Sequence, residues 1–109
     1  MALRIGTAAE MSDAVTRSHL GDGRVVGWYG SPGTVVDAEI RHAVPPAHLV
    51  ARFGAEDFLG RWTRAECAAK LADVPMHLWL ERHGLTSGSA EVETVEIEDV
   101  VISVARTVR

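Results

Sequence analysis

Apolar positions along this chain recur with two spacings, and each spacing selects a different element. Residues 24–29 read Arg-Val-Val-Gly-Trp-Tyr, a run of β-branched and aromatic side chains that suits a pleated strand. Over residues 34–41, Val36, Ala38 and Ile40 alternate with Asp37, Glu39 and Arg41, which predicts a strand with one buried and one wet face. Between them, Ser31-Pro32-Gly33 carries turn chemistry, because Pro presets φ and Gly tolerates positive φ. The two strands are therefore expected to pair as a hairpin.

Helical spacing governs other stretches. Residues 8–20 place Met11, Ala14, Val15 and Leu20 along one face. Thr7-Ala8-Ala9-Glu10 ahead of them is a capping box, and Gly21 stands where a left-handed cap would end the helix. A short strand over residues 3–6 rests on Leu3 and Ile5. Pro45-Pro46 suits a helix start and predicts a helix over 47–53 ending near Gly54, with a short turn over 56–59. Thr63-Arg64-Ala65-Glu66 repeats the capping pattern and predicts a helix over 64–73. Pro75 opens a further helical segment through His83, closed by Gly84 with Leu85 as its apolar contact. Residues 91–108 are strand-rich. Their alternation slips at Glu98-Asp99, which leaves a bulge in one strand or a turn between two.

This order predicts an α+β domain spanning the whole chain. Its antiparallel sheet of three to four strands would be packed by an N-terminal helix and a central multi-segment helical region. In element order it is close to the ferredoxin-like βαββαβ arrangement.

Composition fits that picture. The 109 residues are 47% hydrophobic and 24% charged, near the globular average, and the net charge is −4. That sign, with arginines scattered from Arg4 to Arg109 and Lys70 the only lysine, argues against a nucleic-acid partner. The preference for arginine and alanine reads as a high-GC base-composition effect of bacteria or their phages. No apolar run nears the ~20 residues that span a bilayer, and no signal peptide opens the chain, so a soluble cytoplasmic protein without a membrane partner is expected. One cysteine, Cys67, excludes an internal disulfide and suits a reducing compartment.

Candidate chemistry is sparse. His77 and Glu81 stand four apart on a helix and share a face with Asp73 and His83 nearby, the one arrangement able to run acid–base chemistry or hold a ligand. His83 lies six positions from His77 and serves equally as a cation at a helix C-terminus, so a metal site would lack its third ligand; neither metal nor cofactor is expected. Cys67 sits mid-helix among alanines, where a thiol packs like a small apolar group. Gly27, Gly30 and Gly33 do not have phosphate-loop spacing. His42 and His48 flank Pro45-Pro46. Glu91, Glu93, Glu96, Glu98 and Asp99 form an acidic run that protects a strand edge or docks a basic partner. Trp28 and Tyr29 are adjacent in a strand and face opposite sides, so one looks away from the core and is a partner-contact candidate. The segment 58–66 resembles an Arg-aromatic-Thr-x-Ala-Glu segment of some small phage proteins; it covers under a tenth of the chain and transfers no function.

The leading expectation is a small non-catalytic protein-interaction or assembly module, able to self-associate, acting through one face or an edge of its sheet. The alternative is a small enzyme or ligand-binding protein whose pocket, between sheet and helices, is lined by His77, Glu81 and tryptophan side chains.

Overall fold

The computed structural model describes residues 2–106; the last two residues of the expected terminal strand, Thr107 and Val108, lie outside them. The fold class is α+β, as the sequence indicates, but with two sheets. β1 (Leu3–Gly6), β2 (Thr16–His19) and β3 (Val25–Trp28) form the first, in the order β1-β3-β2. β4 (Thr34–Ile40), β5 (Val92–Ile97) and β6 (Val100–Arg106) form the second, in the order β4-β6-β5. Both are antiparallel. Between β4 and β5 lie α1 (Ala47–Phe53), α2 (Phe58–Ala72) and α3 (Met76–His83). The element order is thus not the ferredoxin-like one.

The expected N-terminal helix over residues 8–20 does not form. Its capping box does: the Thr7 amide donates to Glu10 Oε1 (2.8 Å) and the Glu10 amide to Thr7 Oγ1 (3.1 Å). Only one turn follows, with the Met11 amide reaching Thr7 O at 3.1 Å, before the Val15 amide donates to Trp28 O at 2.8 Å and the chain enters β2. A helix of this length is marginal in water, whereas β-branched Val15 and Thr16 fit a strand beside β3. Gly27 makes the exchange possible. A Cβ there would lie 2.9 Å from Met11 Sδ and 3.0 Å from Ala14 Cβ, so the bare glycine admits the turn over β3.

The expected β3–β4 hairpin is also replaced. A strand has two edges, and those of β3 are taken by β1 and β2. The turn at Gly33, φ 79°, therefore carries the chain into the second sheet, where β4 pairs with β6 from Thr34↔Arg106 to Ile40↔Val100. At Glu98-Asp99 the ambiguity resolves as a tight turn, Glu98 taking φ 55° while Ile97 pairs with Val100.

The sheets pack face to face through Leu20 and Val26 of the first and Ala38, Val100 and Ile102 of the second. On the opposite face of the second sheet lies α2, against β4 and β6. It begins five residues before the expected capping box, so Thr63 is a buried mid-helix residue rather than a cap. Arg61 explains the early start: its guanidinium donates to the carbonyls of Phe53 (2.8 Å), Gly54 (2.9 Å) and Glu56 (2.9 Å), fixing the α1–α2 connection. Phe58, Ala65, Ala68, Ala69, Trp79, Leu80 and Leu85 form the helical core. No helix among the described residues is long and apolar enough to cross a membrane.

Candidate functional site

The side chains singled out by the sequence are scattered. His77 and Glu81 are exposed on α3, and Asp73 ends α2 in a left-handed conformation, φ 57°. His83 stacks on Trp79, ring centroids 4.1 Å apart, and both line a 380 Å³ groove with Ala68, Leu71, Ala72 and Ala90; His77 and Glu81 are not among its lining residues. His42 and His48 are exposed. Among the described residues no three His, Cys, Asp or Glu side chains are grouped so as to hold a metal ion. Trp28 is 8% exposed and its Nε1 donates to Ser31 O at 3.1 Å, its indole lying over Gly30. Tyr29 is half-buried; its hydroxyl donates to Asp13 Oδ1 at 3.0 Å, and Arg4 stacks on its ring at 4.8 Å.

What the alternation of β4 predicted as a wet face is covered by α2. Asp37, Ser103 and Thr94 are cross-strand neighbours on β4, β6 and β5, and they form a polar row beneath the helix. Thr63 Oγ1 donates to Gly60 O at 3.1 Å. A hydroxyl has one proton, so the 2.8 Å contact between Thr63 and Ser103 must be donated by Ser103, and the 2.9 Å contact between Ser103 and Thr94 by Thr94. Arg64 Nη1 completes the relay by donating to Thr94 Oγ1 at 3.2 Å, while its Nη2 pairs with Asp57 at 2.9 Å. Every hydroxyl donor in the row is used, which is what permits these hydroxyls to lie in the core.

The other end of the row is acidic. The Asp37 side chain is 6% exposed; Lys70 Nζ donates to its Oδ1 and to Val36 O, both at 3.1 Å, while Oδ2 has no hydrogen-bond donor among the described residues. Burial, then the neighbouring Glu66 carboxylate, push the Asp37 carboxyl up to about 8 against the opposing pull of Lys70. Glu39 is raised for the same two reasons. Cys67 donates to Ser103 O at 3.1 Å, and burial pushes its thiol up to about 12, so it is held as a neutral packing group. The sequence held one overlooked signal: Ser103 interrupts the apolar run Val100-Val101-Ile102, and a lone hydroxyl in such a run needs a buried partner.

The accessible feature lies where the row reaches the surface. β5 is one of the two outer strands of its sheet, β4 being the other, and among the described residues its one strand neighbour is β6. Beside it a 480 Å³ groove runs between Thr94, Val95 and Glu96 and the loops flanking α1. Ala43, Pro45, Phe58, Leu59 and Val101 give it apolar walls, and Arg41, Asp57 and Glu96 a charged rim. Two of the exposed large hydrophobics adjoin it: Val95, 37% exposed, lines it, and Val44, 90% exposed, stands between its lining residues Ala43 and Pro45. Compared with protein-family models, curated proteins and solved structures, the chain gives no match.

Proposed function

We propose that this chain is a non-catalytic protein-docking module that receives an extended segment of a partner along the outer edge of β5. The observation that carries this reading is the coincidence at one place of an unpaired strand edge, an apolar groove and two exposed valines. An outer strand presents a row of backbone donors and acceptors, and a peptide that adds to it gains hydrogen bonds from its main chain and selectivity from the pockets beside it. Six residues of β5 offer an edge of about 20 Å at the usual rise per residue. β1 is also an outer strand but has only four residues. The edge of β2 faces β4, where the Ala38 amide donates to Ser18 Oγ at 3.1 Å. The buried relay from Arg64 to Gly60 O supports the same reading, because it ties β5 to α2 and makes the edge a rigid template.

A photoactivatable benzophenone side chain placed at Val95, with one at exposed Arg82 of α3 as control, tests this. Expected is a protein adduct formed from position 95 alone, its cross-linked peptide identified by mass spectrometry as an extended segment. Equal trapping from both positions, or none from Val95, would refute the reading.

A second reading has its own observation. The Trp79–His83 stack lines an apolar groove, and such grooves accept small apolar ligands. In a variant with Trp28 and Trp62 replaced by Phe, Trp79 is the remaining reporter. A saturable change of its fluorescence with an apolar dye, abolished by Leu71→Arg, is the expected result if a ligand belongs there.

A further inference from the structure

Resting on the docking reading above, we propose that the segment received by β5 is basic, with Lys or Arg at its first, third, sixth and eighth positions, and that it is not a second copy of this chain. Residues 91–99 contain Glu91, Glu93, Glu96, Glu98 and Asp99 and no basic side chain. Asp99 is already engaged by Arg24 through two contacts of 2.9 and 3.0 Å, and Glu96 meets Arg41 at 3.6 Å across the exposed groove rim. Glu91, Glu93 and Glu98 are exposed and enter no ion pair among the described residues.

Register gives the pattern. Glu93 is opposite Val104, on the face turned to the first sheet, and Glu91 shares its parity. Glu96 is opposite Val101, on the face turned to α2, and Glu98 follows just beyond the strand, in the turn at φ 55°. The charges therefore switch faces in the middle of the strand. A side chain on an added strand lies on the same face as the residue it opposes. A partner matching all four glutamates must then carry basic residues in the order basic-x-basic-x-x-basic-x-basic. That pattern reads identically in both directions, so it fits a parallel or an antiparallel segment. A second copy on the same edge would bring both sets of glutamates to one seam with no cation on either strand to offset them.

The test uses the full chain and three fluorescent octapeptides, read by anisotropy at low and physiological salt. The first has lysine at its first, third, sixth and eighth positions and valine or threonine elsewhere. The second has the same composition with the lysines at the second, fourth, fifth and seventh positions. The third keeps the first pattern but has proline at two of the intervening positions, so that it cannot complete a ladder. Expected is binding of the first peptide about tenfold tighter than of the second, the summed effect of four opposed charge pairs, with the third weaker still. The exposed variant Glu91→Gln/Glu93→Gln removes two of the four pairs and should lower that preference to about threefold while keeping its thermal midpoint. Equal binding of all three peptides would mean diffuse attraction and overturn the inference. So would a dimer in light scattering that the Val95 benzophenone cross-links through β5. In those cases a position-95 adduct still upholds docking at the edge; its absence removes both proposals.

Discussion

The Asp37 carboxyl allows the packing of α2 on β4 to be tested by titration. In the folded chain it is raised to about 8, while the unfolded chain exposes an ordinary aspartate near 3.8. Between those values the folded state keeps a proton that the unfolded state has released. The contribution of this group is therefore fully present below about pH 4 and is lost as pH rises toward 8. At about 1.4 kcal/mol per pKa unit the upper bound is roughly 6 kcal/mol. Lys70, partly exposed at 3.1 Å, and water entering beside it on ionisation bring the expected loss between pH 5 and 8.5 to about 2–3 kcal/mol. Asp37→Asn removes the titration but keeps an acceptor for Lys70 and adds a donor toward Glu66. It should match the parent within about 1 kcal/mol at pH 5 and exceed it at pH 8.5. Urea unfolding at a series of pH values, comparing parent with variant, measures this directly. The difference between the two curves isolates Asp37 from Glu39, whose shift has the same sign. Parallel curves, or a variant weakened by several kcal/mol near neutrality, would show instead that Asp37 is an ionised partner of Lys70, and the reasoning would fail.

Other consequences follow from single contacts. Arg61→Ala removes three charge-assisted bonds to loop carbonyls and should cost about 1.5–3 kcal/mol, seen as a thermal midpoint lowered by roughly 4 °C or more for each kcal/mol. Ser103→Ala breaks the hydroxyl relay in its middle and leaves the Thr94 donor and one Thr63 acceptor without their partner; about 1–3 kcal/mol is expected by urea unfolding, and Thr63→Val should cost less when combined with it than alone. Gly27→Ala drives a methyl against Met11 Sδ at 2.9 Å and should destabilise by about 1–3 kcal/mol, detectable as a lowered thermal midpoint. Cys67 should resist alkylation by iodoacetamide in the native chain and react promptly in denaturant; rapid native labelling would contradict its burial.

Much of the local structure was legible in the residues. Pro45-Pro46 and Gly54 bracket α1, Pro75 and Gly84 bracket α3, and the apolar runs mark β3, β4, β5 and β6, because proline, glycine and side-chain periodicity act within a few residues. Even the capping box of residues 7–10 formed as read, since both of its bonds are local. What followed it was decided at a distance. Val15 found a strand partner in Trp28, and Gly27 had room for Met11 and Ala14, so a segment with helical spacing became a turn and a strand. The pairing of β3 and β4 likewise depended on a fact outside both strands, that β1 and β2 already held the edges of β3. Asp37 shows the same limit for the candidate site. Alternation can say that Asp37 and Ala38 face opposite ways, but only the placement of α2 decides that both faces are covered. The acidic character of residues 91–99 is written in the sequence. That these residues line an outer edge beside an apolar groove is a property of the assembled sheet, because an edge exists only once every other strand has found its neighbour.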